Sequence, residues 1–461
     1  MRYLNKITIL IAFLLSACAL APKGGVTPQG QVLVYLQAGG PPTYEINFSL
    51  DQVWLEGKTG AKFPLGFQTQ HISSLSLFTH QLLLAQGSVN IGSYTSLSLK
   101  FSEATVIKKG KKILLHLPPE GVVKIPINLF VAKDRTTTLF LNWQPASSLQ
   151  EKNRFLPLIN VHLGKTGLKN LLLYVSNAGA NYLSVIDRGS NQVIDTITVG
   201  ESPKGMVLSE DKNYLYVVNS FSNSLSVIET TTNRVIDTIP LNRGIEPTEI
   251  AILPHTSYLY VTATASNAVL VVDTLSRSVV EKIEVGQRPI GLAVDAEKRH
   301  IYVANSYSND ISIIDTTDNK VIKTIGVGGE PRFLRFYQKY LLVVNSQSET
   351  VSVIDRNSFF TVYNIFVPGY PGKIIPGLKG WLYVAGERSN CIYFVTPTMN
   401  IAPKKLFTPS PSGMALDRDR KLLYIANTAD NNVAVLDLIS ERIIGSIEVG
   451  ERPYDLILVG D

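Results

Sequence analysis

Cysteine and histidine are scarce in this chain of 461 residues, which contains two cysteines and six histidines. Copper or haem sites would need clustered His ligands or a Cys-x-x-Cys-His run, and the sequence has neither. The C-terminal two-thirds contains only His255 and His300, without the spacing of a ligand pair. A Gly-x-Ser-x-Gly motif and a phosphate loop are also missing. We therefore expect no catalytic residues, no metal and no cofactor.

Charge is sparse as well. Charged residues make up 17% of the chain, and the formal net charge is +6. Signs are mixed along the sequence, and a nucleic-acid partner is not expected. A short Lys-rich stretch surrounds Gly110, and we interpret it as a solvated hairpin turn. Its members are Lys108, Lys109, Lys111 and Lys112.

The N-terminus has the pattern of a secretion signal. Arg2 and Lys6 precede an apolar run, Ile7–Leu15, that is too short to span a bilayer. The following residues, Leu15-Ser16-Ala17-Cys18, resemble the bacterial lipoprotein lipobox. The resemblance implies removal of residues 1–17, a lipid on Cys18 and a membrane-anchored protein of the cell envelope. An ordinary cleaved signal peptide with an incidental cysteine is the alternative.

Two further features follow from this resemblance. Ala19 after the cysteine resembles lipoproteins sent to the outer membrane of two-membrane bacteria. Lipidation of Cys18 would also leave Cys391 without a disulfide partner, and we predict that Cys391 is a buried apolar residue rather than a nucleophile. Residues 18–30, rich in Gly and Pro after the cysteine, are predicted to form a flexible tether.

Residues 31–147 show the period-two alternation of half-buried strands. Leu97, Leu99 and Phe101 alternate with polar residues, for example. We predict an antiparallel β-sandwich of seven or eight strands, followed by an irregular connector at 148–170. The stretch Gly92–Leu99 resembles a strand of an uncharacterised family of bacterial lipoprotein sandwich domains, which implies no known activity.

Residues 171–461 contain seven copies of one five-residue pattern, from Leu-Tyr-Val-Ser-Asn at 173–177 to Leu-Tyr-Ile-Ala-Asn at 423–427, and its second positions recur 40 to 44 residues apart. An apolar strand ending in an acid follows most copies, and then a strand running into Val-Gly-x-x-Pro. Four short strands per repeat at this period indicate propeller blades. The seven central positions are Tyr174, Tyr216, Tyr260, Tyr302, Leu342, Tyr383 and Tyr424.

The Tyr-Val-x-Asn and Val-Ile-Asp signatures resemble the YVTN family of seven-bladed β-propellers. The first repeat lacks an innermost strand, whereas the chain ends on a spare one, Pro453–Val459. The fold class predicted is therefore all-β, with a sandwich followed by a seven-bladed propeller that the C-terminal strand closes.

Residues present in most repeats are interpreted as architectural. Asn at the strand ends is expected to adopt a left-handed conformation, and the acids are expected to accept turn N–H groups. Gly and Pro of Val-Gly-x-x-Pro are expected to set φ for the crossing between blades. The repeated Asn are Asn177, Asn219, Asn305, Asn345 and Asn427, and the acids are Asp187, Asp273, Asp315, Asp355 and Asp437.

A ligand site is expected in the variable loops around the central channel, where Arg, Tyr and Phe are types that anchor ligands. A solvated rim with local Arg–Glu pairs is the alternative. Glu249 and Asp455 are the acids near the starts of the innermost strands, too few for a predicted metal site. The candidate rim residues are Lys204, Phe221, Arg243, Glu246, Arg288, Tyr307, Arg332, Tyr370, Lys373, Arg388, Arg452 and Tyr454.

The interpretation that best fits this pattern is a non-enzymatic envelope lipoprotein that presents the propeller to another envelope protein or surface ligand. The sandwich would act as a spacer or a second binding module. A lactonase- or lyase-like enzyme at the channel mouth is one alternative, and about one metal ion per purified chain would favour it. A carbohydrate-binding adhesin is the other, and glycan binding through Tyr370, Tyr454 or Phe221 would favour that.

Overall fold

The computed structural model describes residues 28–67, 71–164 and 167–460. The predicted signal peptide, Cys18 and all but the end of the predicted tether lie outside the described residues. Within those ranges no helix is long and apolar enough to cross a membrane.

The N-terminal domain is a β-sandwich with two sheets, ordered β12-β9-β1-β5 and β3-β2-β6-β7, in which β4 and β8 also pair with β2 and β6. Its elements are β1 (Gln29–Ala38), β2 (Glu45–Gly57), β3 (Lys62–Leu65), β4 (His71–Ser73), α1 (Ser74–Thr79), β5 (Leu82–Asn90), β6 (Gly92–Lys108), β7 (Lys111–Leu114), β8 (Val122–Val131), β9 (Thr136–Gln144), β10 (Leu149–Gln150), β11 (Arg154–Phe155) and β12 (Leu158–Leu163).

The sandwich differs from its prediction in three respects. The described residues up to 147 form nine strands, β1–β9, rather than seven or eight. β1 pairs with β9 in parallel, so the domain is not purely antiparallel. β12 lies inside the predicted connector 148–170 and pairs with β9. This strand was not predicted, because the alternation of Leu158–Leu163 is too short to indicate a strand. The predicted Lys-rich turn is confirmed: Lys108 pairs with Lys111, with Lys109 and Gly110 at positive φ between them.

The propeller has seven four-stranded antiparallel sheets. Strands run outward from the channel in each blade, and the outermost one connects to the innermost strand of the next blade. The first blade contains β13 (Leu172–Asn177), β14 (Tyr182–Asp187) and β15 (Gln192–Thr198). The second contains β16 (Pro203–Leu208), β17 (Tyr214–Asn219), β18 (Ser224–Glu229) and β19 (Arg234–Pro240). The third contains β20 (Pro247–Ile252), β21 (Tyr258–Ala263), β22 (Ala268–Asp273) and β23 (Ser278–Glu284).

The remaining blades repeat this order. The fourth contains β24 (Pro289–Asp295), β25 (His300–Asn305), β26 (Asp310–Asp315) and β27 (Lys320–Gly326). The fifth contains β28 (Pro331–Tyr337), β29 (Tyr340–Asn345), β30 (Thr350–Asp355) and β31 (Thr361–Phe366). The sixth contains β32 (Pro371–Pro376), β33 (Leu382–Gly386), β34 (Cys391–Val395) and β35 (Ile401–Phe407). The seventh contains β36 (Pro411–Asp417), β37 (Leu422–Asn427), β38 (Asn432–Asp437) and β39 (Arg442–Glu448), and the chain ends with β40 (Pro453–Leu458).

Ring closure is confirmed. β40 pairs with β13 and completes the first blade as its innermost strand, with Leu173 opposite Leu458 and Val175 opposite Leu456. The Arg188 guanidinium of the first blade forms a buried ion pair with Asp417 of the seventh. The same guanidinium donates to the Val459 carbonyl at 3.2 Å. The closing seam therefore has both a β-ladder and a buried ionic contact.

Apolar side chains fill the space between blades. One cluster joins the first and seventh blades through residues such as Val175, Tyr424 and Ile447. Another joins the fifth and sixth blades and contains Cys391, whose side chain is fully buried as predicted.

The sandwich packs against the outer strands on either side of the closing seam. Tyr35 and Phe140 of the sandwich lie in the same core cluster as Val193 and Ile447 of the first and seventh blades. The Gln81 side chain both accepts from and donates to the backbone of Val193, at 3.0 and 3.1 Å. Because these contacts reach both blades, the sandwich supports the seam from outside.

The repeated acids behave as predicted, whereas the repeated Asn and Gly do not. Asp315, for example, accepts the Thr317 N–H at 2.8 Å. The repeated Asn have no positive φ, and four of them donate their amide N–H to a Ser on the next strand, as Asn219 does to Ser226 at 2.9 Å. Gly200 and its counterparts Gly286, Gly328 and Gly450 also lack positive φ. They are needed because a Cβ there would lie 2.6–2.8 Å from the Asn side-chain carbon.

We predict that deleting residues 451–461 destabilises the propeller far more than a trimmed tail would. Leu456 and Val459 are 4% and 1% exposed, and burial of such side chains contributes about 1.5–3 kcal/mol each. The free energy of unfolding should therefore fall by at least about 3 kcal/mol in a denaturant titration. Deleting only residues 460–461 is the matched control. An unchanged transition in the longer deletion would contradict closure by β40.

Candidate ligand site at the channel mouth

Two sets of loops surround one end of the channel, as predicted. The loops between blades hydrogen-bond to the loops that follow the second strand of each blade. Examples are Ser220 N–H to the Ser202 carbonyl at 2.9 Å and Ser306 N–H to the Arg288 carbonyl at 3.0 Å. We call this end the channel mouth. It is defined by the starts of the seven innermost strands and these loops.

The residue before the first proline of every innermost strand has positive φ. None of the seven is glycine, and pre-proline residues normally avoid this region, so each carries backbone strain. The repeat was not predicted, since it falls on a variable position of Val-Gly-x-x-Pro. The residues are Ser202, Glu246, Arg288, Glu330, Tyr370, Ser410 and Arg452.

Asparagine side chains hold most of these strained positions. The Asn267 side-chain oxygen accepts the Arg288 N–H at 2.9 Å, and Asn431 accepts that of Arg452 at the same distance. Asn223, Asn309 and Asn390 bond in the same way to Glu246, Glu330 and Ser410. Each of these Asn itself has positive φ. The mouth therefore projects its side chains from a backbone that is fixed blade by blade.

A cluster of Arg and Tyr occupies one side of the mouth. The Arg388 guanidinium lies 4.0 Å from the centroid of the Tyr370 ring, and that of Arg332 lies 5.3 Å from it. The Tyr370 hydroxyl donates to Glu330 at 2.5 Å. Arg332 pairs with Glu387 at 3.1 Å. Arg388 is exposed and has no carboxylate partner among the described residues, so its charge is available to a ligand.

Deeper in the channel, two carboxylates lie close together. The Tyr454 hydroxyl donates to Glu249 at 3.1 Å, and Asp455 forms an ion pair with Lys373 and accepts the Met206 N–H at 3.3 Å. Desolvation and the Asp455 charge raise the pKa of Glu249 to about 7, against the opposing effects of Lys373, Tyr454 and Lys204. Desolvation also lowers the pKa of Lys204.

Glu249 and Asp455, together with neighbouring residues, line a narrow opening of about 50 Å³. Arg332, Lys373, Glu387 and Tyr454 contribute charged or hydroxyl groups, and Ile290 and Phe333 contribute apolar surface. The arrangement can bind a polar group of either charge, since cations and carboxylates alternate around it. Among the described residues no set of three His, Cys, Asp or Glu side chains could hold a metal ion.

The remaining predicted rim residues divide into two groups. Arg288 pairs with Glu246 at 3.4 Å and lies 5.1 Å from the Tyr307 ring. Phe221 is exposed in the corresponding loop of the second blade. Arg243 was predicted wrongly as a rim residue. It donates to the Val280 carbonyl on the outermost strand β23, because its longer loop follows the outside of the blade.

Sequence reasoning missed Glu387 and Phe333, and treated Glu249 and Asp455 only as weak metal ligands. Aligning the innermost strands on their first proline would have found most of these residues. Phe333, Asp455, Glu249 and Lys373 all occupy the second position after it. Glu387 carries no such signal, since it lies in a loop after β33.

We predict a pH dependence of stability that originates at Glu249. Its ordinary pKa of 4.5 rises to about 7 in the folded chain. The folded state therefore keeps a proton that the unfolded state releases, and stability falls as the pH rises from 4.5 to 7. Glu249→Gln removes this fall. Relative to the natural chain, the variant should gain on the order of 2 kcal/mol of unfolding free energy across that window in urea titrations. Parallel pH profiles for the two proteins would contradict this assignment.

The comparisons with known proteins agree on the fold. The family described as "Lactonase, 7-bladed beta-propeller" matches residues 195–320. No curated protein sequence matches the chain.

Solved structures are similar at low identity. Hydrazine synthase of Kuenenia stuttgartiensis is 21% identical with a TM-score of 0.51, over 56% of this chain and 90% of that one. A candidate 6-phosphogluconolactonase from Bacteroides uniformis is 14% identical with a TM-score of 0.54, over 63% and 100%. A protein of unknown function from Desulfotomaculum acetoxidans is 16% identical with a TM-score of 0.54, over 62% and 98%. At these identities the similarity shows the β-propeller fold alone.

Proposed function

We propose that this chain is a non-enzymatic cell-envelope lipoprotein whose propeller binds another protein or a surface ligand at the channel mouth. The observation that carries the proposal is the Arg388–Tyr370–Arg332 cluster. Arg and Tyr dominate the binding energy of protein interfaces because they combine a large contact area with directed hydrogen bonds. The exposed Tyr307 and Phe221 add aromatic surface in the loops of the fourth and second blades.

Rigidity of the mouth supports a binding role. Side chains on a fixed backbone lose little conformational freedom when a partner binds, which leaves more of the contact energy as affinity. Most charges at the mouth already pair with one another, such as Arg332 with Glu387 and Lys373 with Asp455. A partner that contacts Arg388 and the outer aromatic residues therefore need not separate the deeper ion pairs.

The lipid anchor is the second part of the proposal. We expect a diacylglyceryl group on Cys18, which would retain the protein in the envelope, at the outer membrane in a two-membrane bacterium. Cys18→Ser should abolish incorporation of a radiolabelled or clickable fatty acid and move the protein from the membrane to the soluble fraction. Cys391→Ser is the matched control and should keep the label. Labelling that persists in Cys18→Ser would contradict lipidation at this residue.

A binding partner should be detectable in intact cells. We predict that in-cell crosslinking followed by mass spectrometry identifies the same envelope component reproducibly with the natural protein. Arg388→Ala should reduce its yield at least about tenfold, as expected when an interface residue contributes at least about 1.4 kcal/mol. Arg243→Ala is the matched control, since it removes an Arg from the outside of the blade. Equal yields from the natural protein and both variants would contradict binding at the mouth.

A second candidate function is hydrolysis of a sugar lactone at the same mouth. The match to lactonase propellers over residues 195–320 favours it, as does Glu249, whose pKa of about 7 suits proton transfer near neutral pH. Turnover of 6-phosphogluconolactone by the purified protein, lost in Glu249→Gln and retained in Arg388→Ala, would support this candidate over the binding module. No turnover above the buffer rate would reject it.

A further inference from the structure

The fifth blade departs from the repeat at one cross-strand pair. In the other six blades the fourth residue after the first proline of the innermost strand is apolar, and it lies opposite the repeated Tyr. The six pairs are Val207–Tyr216, Ala251–Tyr260, Ala293–Tyr302, Ile375–Tyr383, Ala415–Tyr424 and Ile457–Tyr174. In the fifth blade the pair is Arg335 and Leu342. In the fifth blade a charged side chain thus occupies a position that is apolar in the other six blades.

The Arg335 side chain lies on the face of its blade that packs against the sixth blade. Directly opposed residues share one face of a sheet, and Leu342 belongs to the core cluster shared with Ile374 of the sixth blade. Unlike its buried or half-buried counterparts, Arg335 is exposed. Its position near the end of β28 sets it at the end of the channel opposite the mouth.

Arg418 approaches the same place from the seventh blade. Its two terminal nitrogens donate to the carbonyls of Gly377 and Pro376, both at 3.3 Å. Pro376 ends the innermost strand of the sixth blade. The two arginines therefore flank the end of β32 from opposite sides.

Within the described part of the chain, the Arg335 guanidinium has no hydrogen-bond acceptor, carboxylate or aromatic ring as a partner. Desolvation and the charge of Arg418 both lower its pKa. The like charges of the two guanidinium groups repel one another, and an anion bound between them would offset this repulsion.

We propose that Arg335 and Arg418 form a binding site for an oxyanion, a phosphate or carboxylate group, at the end of the channel opposite the mouth. Guanidinium groups bind both anions through paired, charge-assisted hydrogen bonds. Arg418 is already oriented by the two carbonyls, and Arg335 is free to turn its donors to the ligand. The ordinary alternative is a solvated Arg whose aliphatic part covers apolar surface between blades.

Isothermal titration calorimetry with the full-length protein in detergent tests the site. Inorganic phosphate and acetate are titrated separately at constant ionic strength, with chloride as the balancing anion. We expect the natural protein to bind at least one of them, and the tighter of the two identifies the ligand as phosphate-like or carboxylate-like. Arg335→Met should weaken that binding at least tenfold. Arg243→Met, which removes an Arg from the outside of the third blade, should leave it unchanged, which separates this site from a general charge effect.

Stability in anion-free buffer gives a second, independent readout. Because Arg335 has no partner, Arg335→Met should melt at the same temperature as the natural protein or higher. Arg335→Lys, which keeps the charge but loses the paired donors, should bind with intermediate affinity. The proposal is overturned if neither anion binds the natural protein, if Arg335→Met binds as tightly as the natural protein, or if Arg335→Met unfolds or melts at a lower temperature.

Discussion

The pairing of β40 with β13 is the contact on which the rest of the propeller depends. It joins the two ends of a ring whose other blades are formed by consecutive strands, and it leaves no innermost strand unpaired. The segment that closes the ring also carries Arg452, Tyr454 and Asp455, which belong to the mouth. Pairing of β40 with β13 therefore also places Arg452, Tyr454 and Asp455 in the mouth. The sandwich and the buried Arg188–Asp417 pair reinforce this seam rather than any other junction.

The two ends of the channel differ in how their charges are balanced. At the mouth, cations and carboxylates pair locally, and a strained backbone held by Asn side chains fixes their positions. At the opposite end the buried acids Asp295 and Asp417 pair with Arg356 and Arg188, whereas Arg335 lies near Arg418 and has no carboxylate partner among the described residues. Regular blades explain the first arrangement, because the same loop recurs seven times. The arrangement at the opposite end arises because Arg335 replaces an apolar residue of the repeat in the fifth blade. A residue that breaks a repeated structural pattern indicates a function more readily than one that follows it.

The periodicity of the sequence predicted the blade number, the closing strand, the buried Cys391 and the role of the repeated acids. These features are local or repeated, so a single chain displays them several times. The physical role of the repeated Asn and Gly was not predictable, because it depends on contacts between loops, such as Gly200 against Asn219. Arg243 and Glu387 illustrate the same limit, since only the path of each loop decides whether its side chain reaches the channel. β12 was not predicted, because its six residues are too few for their alternation to indicate a strand.

Hydrogen exchange at the seam tests closure most directly. Amides that form the ladder between β13 and β40, including those of Tyr174, Ile457 and Val459, should be as strongly protected as amides in the middle of the fourth blade and should exchange only when the whole propeller unfolds. The account predicts one common opening free energy for both regions. Fast exchange confined to β13 and β40, while the fourth blade stays protected, would show an open ring and contradict it.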